Sequence, residues 1–135
     1  MEVISAHTRL FVSDIATCAE FYRDVLKFKP ITIQIDKGYA EFEIGQGAHQ
    51  MRLSLFRQQE MSEILRTSEK APSANSQDRF GLLLQVRNMD EIYRELRHAN
   101  VVFDEPPTQN QEFALKVAYF RDPAGNLIGL IESVM

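Results

Sequence analysis

The sequence predicts an α+β fold made of two β-α-β-β-β modules, and an internal repeat is the main reason. Residues 7–28 and 81–102 follow one template, in which an alternating apolar strand ends in valine and a polar turn leads into a helix. Asp14 opens the first helix and Asn88 the second, at an offset of 88 − 14 = 74 residues. Two copies cannot stack into a solenoid. We therefore expect a duplicated module whose halves pair about a pseudo-two-fold axis and leave a cleft between them.

The first module follows from its periodicity. Val3–Val12 alternates as a strand, and Asp14 is expected to cap a helix that runs to about Phe28. Lys29-Pro30 ends this helix. Three strands are predicted after it, namely Ile31–Asp36, Tyr39–Ile44 and His49–Phe56, and residues 58–67 are compatible with one or two helical turns.

The second module repeats this order. We predict a strand at Phe80–Val86, an amphipathic helix at Met89–Ala99 and a short strand within the poorly patterned segment Val101–Gln109. The turn sequence at residues 122–126, with Asp, Pro and Gly, predicts a hairpin between strands Leu115–Arg121 and Leu127–Val134. Module one is expected to end near residue 67, residues 68–79 to form a linker, and both modules to make a single domain.

Composition limits the class of protein. A chain of 135 residues with 44% apolar and 25% charged residues is typical of a globular domain. A net charge of −4 without a Lys/Arg run argues against nucleic acid or membrane as a partner. We expect a cytoplasmic protein because the chain shows neither a signal peptide nor an apolar span. The single cysteine, Cys18, is in step with Ile15 and Tyr22, which favours a buried structural thiol over a nucleophile.

The predicted strands of the first module have two unlike faces. One face is aliphatic and is expected to pack on the helix. The other mixes charges and aromatic rings, which favours the lining of a cavity over a purely solvated surface. Its members are His7, Arg9, Phe11, Tyr39, Glu41, Glu43, Arg52, Ser54 and Phe56.

These features resemble the vicinal oxygen chelate superfamily, which includes glyoxalase I, methylmalonyl-CoA epimerase, fosfomycin-resistance thiol transferases, bleomycin-resistance proteins and extradiol dioxygenases. The resemblance rests on the duplicated module, on HTRLFVSDIATCAEFYRDVLKF at the start and on YFRDPAGNLIGLIE at the end. It implies a strongly curved mixed sheet around a cleft, with the helices outside. It covers nearly the whole chain and says little about which activity of the superfamily is present.

The resemblance also implies where a metal would be held, on the first and fourth strands of each module. Those positions are His7, Ser54, Gly81 and Gly129 in this sequence. Glycine has no ligand atom and a neutral serine is a poor ligand, whereas Zn²⁺, Ni²⁺ or Fe²⁺ require three or four N, O or S donors. We therefore expect no metal and no other cofactor. The two glycines are expected to leave room for a ligand, or alternatively to accommodate sheet curvature.

Charged side chains suggest the kind of ligand. Arg9 and Arg52 share the polar face with His7 and are suited to a carboxylate or phosphate. A structural ion pair of Arg52 with Glu41 or Glu43 is the alternative. Tyr119 is expected opposite Gly129, with its hydroxyl in the cavity or as a half-buried structural residue. His49 and His98 are expected at the surface.

The sequence thus favours a metal-independent protein that binds a small anionic organic molecule. The predicted ligand-binding residues are Arg9, Phe11, Arg52, Ser54, Phe56, Gly81, Tyr119 and Gly129. One alternative is a glyoxalase-type lyase, isomerase or thiol-dependent enzyme that uses His7 as general base and Tyr119. Another is a non-catalytic interaction module. A homodimer is expected, with Phe113, Leu115 and residues 58–67 as candidates for the contact.

Overall fold

The chain forms two compact units, each built on one mixed β-sheet. The computed structural model describes residue 2 and residues 7–64, 80–110 and 114–134. The units comprise residues 1–74 and 75–135, and each contains a four-stranded sheet with few helices. This architecture confirms the predicted α+β class and the repeated β-α-β-β-β order. The predicted linker and Phe113 lie outside the described residues.

In the first unit the strands are arranged in the order β1-β4-β3-β2, with β1 parallel to β4 and the other neighbours antiparallel. Its elements are β1 (Thr8–Val12), α1 (Ile15–Glu20), a π-helical turn (Phe21–Val25), β2 (Lys29–Gln34), β3 (Tyr39–Ile44), β4 (Met51–Arg57) and α2 (Gln58–Ile64).

In the second unit the same arrangement recurs as β5-β8-β7-β6, with β5 parallel to β8. Its elements are β5 (Gly81–Gln85), α3 (Met89–His98), β6 (Phe103–Asn110), β7 (Leu115–Arg121) and β8 (Leu127–Ser133). The β7–β8 hairpin is closed at Asp122, whose carboxylate accepts hydrogen bonds from the backbone N–H groups of Ala124 and Asn126 at 2.9 and 2.8 Å. The predicted turn is therefore confirmed.

The first helix differs from the prediction at its end. Asp14 caps it as expected, because the carboxylate accepts a hydrogen bond from the Thr17 N–H at 3.1 Å. The α-helix ends at Glu20, however, and continues as a π-helical turn in which Leu26 N–H donates to the Phe21 carbonyl at 3.1 Å. Lys27 then takes a left-handed conformation with φ of 61°. The chain reverses there, so β2 begins at Lys29, two residues before the predicted start.

Helix α3 is capped by a different residue from the one predicted. Asn88 stands at the N-cap position but adopts φ of 61° and its side chain makes no capping bond. Glu132 on β8 supplies the acceptor instead, and its Oε2 lies 2.7 Å from the backbone nitrogen of Met89. A carboxylate satisfies a free N–H there and suits the positive end of the helix dipole.

The edge strand β6 is longer than the short strand predicted for this segment. It extends over eight residues and includes Pro106 and Pro107. The pairing with β7 shifts register between Glu105 and Thr108. Proline lacks the N–H that a ladder needs and is tolerated at edges and bulges. The two prolines thus break the sequence alternation without ending the strand.

Each unit has an apolar core on one side of its sheet. In the first, Tyr22 and Phe42 are fully buried and their rings lie 6.1 Å apart, and Cys18 is buried as predicted. In the second, Phe103 bridges Tyr93 and the buried Phe120, at centroid distances of 4.7 and 5.1 Å. Across the described ranges, no helix is both long and apolar enough to cross a membrane.

Candidate functional site

The polar face of the first sheet is organised in rows of side chains that cross neighbouring strands. We define the arginine row as Arg9, Ser54 and Glu41, which are register partners on β1, β4 and β3. The next row, two residues further along β1, is the aromatic row, formed by Phe11, Phe56 and Tyr39. Register partners on one face of a sheet stand about 5 Å apart. The structure thus brings together Arg9, Phe11, Ser54 and Phe56, all of which the sequence predicted to share a site.

Arg9 is the central cation of this surface. Its Nε–H donates to Ser54 Oγ at 3.0 Å, and Ser54 is fully buried. The guanidinium carbon lies 5.3 Å from the ring centroid of Phe56 and 5.7 Å from that of Tyr39. Both distances allow a cation–π attraction. The bond to Ser54 orients the guanidinium through Nε. The two terminal amino groups take no part in that bond.

Tyr39 and Glu41 form the other polar contact of this face. The Tyr39 hydroxyl donates to Glu41 Oε1 at 3.2 Å. Burial raises the pKa of Tyr39, and the negative charge of Glu41 and its hydrogen bond act in the same direction, whereas Arg9 opposes them. The phenol therefore stays neutral at physiological pH and adds no negative charge beside Arg9.

Arg52 lies on the same face, two residues before Ser54 on β4. It is thus on the side of the arginine row that faces away from the aromatic row. It is exposed, and its register partner on β3 is Glu43. The carboxylate of Glu43 instead forms an ion pair with Lys29 at 3.6 Å. Within the ranges that the structure describes, Arg52 forms no ion pair, so the predicted alternative of a structural pair with Glu41 or Glu43 is not realised there.

The four positions that correspond to a metal site do not make a donor set. His7 is exposed and directly precedes β1, while Ser54 already accepts the Arg9 hydrogen bond. Gly81 and Gly129 contribute no side-chain atom. Among described residues, no group of three His, Cys, Asp or Glu side chains is close enough to bind one ion. These residues do not fit the divalent metal that the resemblance implies.

The space beside Gly129 is filled from within its own unit. A Cβ built on Gly129 would lie 2.6 Å from Leu83 Cδ2 and 2.7 Å from Tyr119 Cε1. Leu83, Gly129 and Tyr119 are register partners on β5, β8 and β7, and we call them the glycine row. The expectation that Gly129 leaves room for a ligand is therefore wrong at this position, because its two neighbours occupy the room. A Cβ built on Gly81 would lie 3.4 Å from its nearest neighbour, Leu127 Cδ2.

The glycine row occupies the same place in the second sheet as the arginine row in the first. Arg9 corresponds to Leu83 by the 74-residue offset, and Ser54 corresponds to Gly129 by the register of β4 and β8. The same position of the repeated module thus holds a cation in the first unit and apolar groups in the second. The alternation of the strands predicted the face, but the Arg9–Ser54 bond depends on pairing that periodicity does not specify.

Tyr119 is paired with Gly129, as predicted. Its ring packs over the glycine and is partly exposed. His7 belongs to the first unit and Tyr119 to the second. Their use as a catalytic pair stays a prediction. The remaining histidines, His49 and His98, are exposed, as predicted.

Sequence reasoning did not indicate a cavity of about 310 Å³ in the second unit, at the start of α3. It is lined by Gln85, Val86, Arg87, Asn88, Glu132 and Ser133. Glu132 already places a carboxylate at the helix N-terminus, 2.7 Å from the Met89 nitrogen. The lining thus holds one cation, Arg87, and one anion, Glu132, which already occupies the helix N-terminus, so the cavity is less suited to an anionic ligand than the polar face of the first sheet.

Comparisons with known proteins agree with this architecture. The family model described as "Glyoxalase/Bleomycin resistance protein/Dioxygenase superfamily" matches residues 4–130. The chain is 31% identical over 120 residues to "Uncharacterized protein YraH" of Bacillus subtilis (strain 168), which covers 89% of this chain and 91% of that protein.

Solved structures share the fold at lower identity. A glyoxalase/bleomycin resistance protein/dioxygenase from Nocardioides superposes with a TM-score of 0.73 at 20% identity, over 99% of this chain and 87% of the other. Lactoylglutathione lyase from Agrobacterium tumefaciens gives a TM-score of 0.68 at 19% identity, over 98% and 96% of the two chains. At these identities the likeness concerns the fold alone.

Proposed function

The chain belongs to the Glyoxalase/Bleomycin resistance protein/Dioxygenase superfamily, and from that premise we propose that it binds a small organic anion without a divalent metal. The binding surface is the polar face of the first sheet, centred on Arg9. The observation that carries the proposal is the oriented guanidinium, fixed at Nε by buried Ser54 at 3.0 Å.

The state of Arg9 favours a binding role over a structural one. A structural arginine is expected to pair with a carboxylate, whereas Arg9 contacts the Ser54 hydroxyl, the ring and hydroxyl of Tyr39, and the Phe56 ring. Restricting the guanidinium before binding lowers the entropy lost when a ligand is held. The terminal amino groups of such an arginine can hold a carboxylate through two parallel hydrogen bonds.

The surrounding charges support an anion. Glu43 is neutralised by Lys29, and Glu41 accepts its hydrogen bond from a neutral phenol. Counting Arg9, Arg52 and Lys29 against Glu41 and Glu43 gives the face a formal charge of 3 − 2 = +1. The chain as a whole carries −4. This local excess of positive charge attracts an anion to the face.

Metal independence rests on the chemistry of the four positions where the resemblance implies metal ligands, namely His7, Ser54, Gly81 and Gly129. His7 is the one good donor among them, and Ser54 is committed to Arg9. We expect untagged protein, purified without chelator, to contain far less than one equivalent of Zn, Ni, Fe or Mn per chain by elemental analysis. A value near one equivalent that His7→Ala removes would contradict this part of the proposal.

A carboxylate titration followed by amide NMR tests the binding proposal. Acetate and benzoate are added to the ¹⁵N-labelled chain, with benzylamine as a cation of similar size. We expect benzoate to shift amides of β1, β3 and β4 in a saturable way and benzylamine to leave them unchanged. Shifts confined to the second unit, or equal shifts with benzylamine, would contradict it.

A homodimer is part of the same proposal. The sheet edges and the exposed apolar side chains Ile31 and Ile35 offer surface that a partner copy can cover. Phe113, Leu115 and residues 58–67 stay the candidates for the contact. Light scattering at micromolar concentration is expected to give about twice the chain mass of 15.5 kDa, and a value equal to the chain mass would contradict it.

A further inference from the structure

The aromatic row beside Arg9 suggests which anions this surface takes. We propose that the ligand is an arylalkanoate-like monoanion, with its carboxylate on Arg9 and its ring against Phe11. This inference rests on the proposed function, because it names the ligand class of the same site. The juxtaposition of a fixed guanidinium and an exposed ring on one strand face carries it.

Phe11 is placed to receive an apolar group. Its side chain is 43% exposed, whereas its sequence neighbours Leu10 and Val12 on the opposite side of β1 are buried. Phe11 is the register partner of Phe56, which is in turn the register partner of Tyr39. The aromatic row therefore places three aromatic residues at neighbouring positions on one face of the sheet. A ring or branched alkyl group placed on Phe11 removes apolar surface from water on both molecules.

The position of the guanidinium limits the length of the ligand. Its carbon lies 5.3 Å from the ring centroid of Phe56, which is the register partner of Phe11 on the neighbouring strand. The cation therefore lies beside the aromatic row, where register partners on one face stand about 5 Å apart. A phenyl group separated from a carboxylate by one or two methylene groups is long enough to contact both Arg9 and Phe11, whereas a small inorganic anion on Arg9 offers no apolar group to Phe11.

Glu41 sets the charge of the ligand. It is the register partner of Ser54 on the side away from Arg9, so a carboxylate lies within the same row as the guanidinium. A second negative charge on the ligand meets that carboxylate and is disfavoured. Arg52 lies on the side of the arginine row away from Phe11, so a second charge on a ligand that extends from Arg9 to Phe11 gains no partner there. We therefore expect the surface to favour monoanions over dicarboxylates and phosphate monoesters of this length.

Calorimetry with four probes tests the inference on the full-length chain. The probes are 3-phenylpropionate, acetate, 3-phenylpropan-1-ol and phenylsuccinate. We expect 3-phenylpropionate to bind at least tenfold more tightly than acetate and the alcohol, and more tightly than the dianionic phenylsuccinate.

Two single variants test whether the ring of the ligand lies against Phe11. Phe11→Gln is expected to weaken 3-phenylpropionate at least fivefold, and this side chain is compatible with the strand because the corresponding residue of the second module is Gln85. Phe80→Ala is the control, since Phe80 is another exposed phenylalanine, 59% exposed, just before β5. It is expected to leave the affinity unchanged, and thermal melts verify that both variants fold.

The outcomes separate this inference from the proposed function. If acetate and 3-phenylpropionate bind equally and both depend on Arg9, the anion site stands and the inference is wrong. The inference is also wrong if folded Phe11→Gln binds 3-phenylpropionate as the parent does. If none of the anions binds, both proposals are wrong.

Discussion

The ring of Tyr119 lies directly over Gly129 on the neighbouring strand, so close that a Cβ on Gly129 would stand 2.7 Å from Tyr119 Cε1. A side chain at this position would therefore have to displace the Tyr119 ring. Leu83 covers the glycine from the other side, with Cδ2 at 2.6 Å from the same Cβ. In the glycine row, side chains pack over the glycine, whereas the corresponding position of the arginine row holds the buried Ser54, which is bonded to Arg9.

Gly129→Ala should therefore destabilise the protein. The added methyl overlaps with Tyr119 and Leu83, and overpacking of this kind costs about 1–3 kcal/mol. Urea unfolding measures the difference. Gly81→Ala is the matched control, because its Cβ meets nothing closer than 3.4 Å, and it is expected to stay within about 0.5 kcal/mol of the parent. Equal stability of the two variants would refute the packing argument.

The helix cap supplied by β8 leads to a second prediction. Glu132→Ala removes the acceptor 2.7 Å from the Met89 nitrogen and should cost about 1 kcal/mol, as loss of an N-cap does. Glu95→Ala, on the exposed side of the same helix, is the control and should be neutral. Asn88→Gly should be neutral or stabilising, because φ of 61° is easy for glycine and the Asn88 side chain forms no cap. Loss of stability in Asn88→Gly that matches Glu132→Ala would show that the asparagine is the cap.

The raised pKa of Tyr39 gives a prediction on pH. Because the neutral phenol is favoured in the folded chain, its contribution to stability is fully present below the usual tyrosine pKa of about 10 and is lost as the pH rises through the higher folded value. Phenolate absorbance, compared between the parent and Tyr39→Phe, should show Tyr39 ionising later than an exposed tyrosine. Glu41→Gln should bring its pKa down. Ionisation of Tyr39 at or below the usual value would contradict the contact.

The fold could be predicted largely because its signals are local. Strand β3 matches the predicted limits, Tyr39–Ile44, since strict alternation and flanking turns define it. The turn at residues 122–126 is encoded by its own Asp, Pro and Gly. The π-helical turn and the left-handed Asn88 have no such signature, and the cap from Glu132 comes from a strand 43 residues away.

The candidate site was predicted as a set of residues but not as an arrangement. Alternation assigned Arg9, Arg52 and Ser54 to one face. Which strand lies beside which is a non-local property. The β1–β4 pairing places Arg9 against Ser54, and the β3–β4 pairing places Glu43 beside Arg52. The choice of Lys29 over Arg52 as the partner of Glu43 likewise depends on the β2–β3 register. The expectation of empty space at Gly129 was wrong because it considered the glycine without its neighbours Leu83 and Tyr119.

The most direct test of the central claim is the affinity for benzoate, measured by calorimetry on the parent and on single arginine variants. Arg9→Ala is expected to weaken binding at least tenfold, about 1.4 kcal/mol, and Arg52→Ala to do the same, each with an unchanged melting temperature. Arg23→Ala, which removes an exposed arginine paired with Asp24, is expected to bind as the parent does. Unchanged affinity in folded Arg9→Ala would contradict the account, and unfolding of Arg52→Ala without a ligand effect would make that arginine structural.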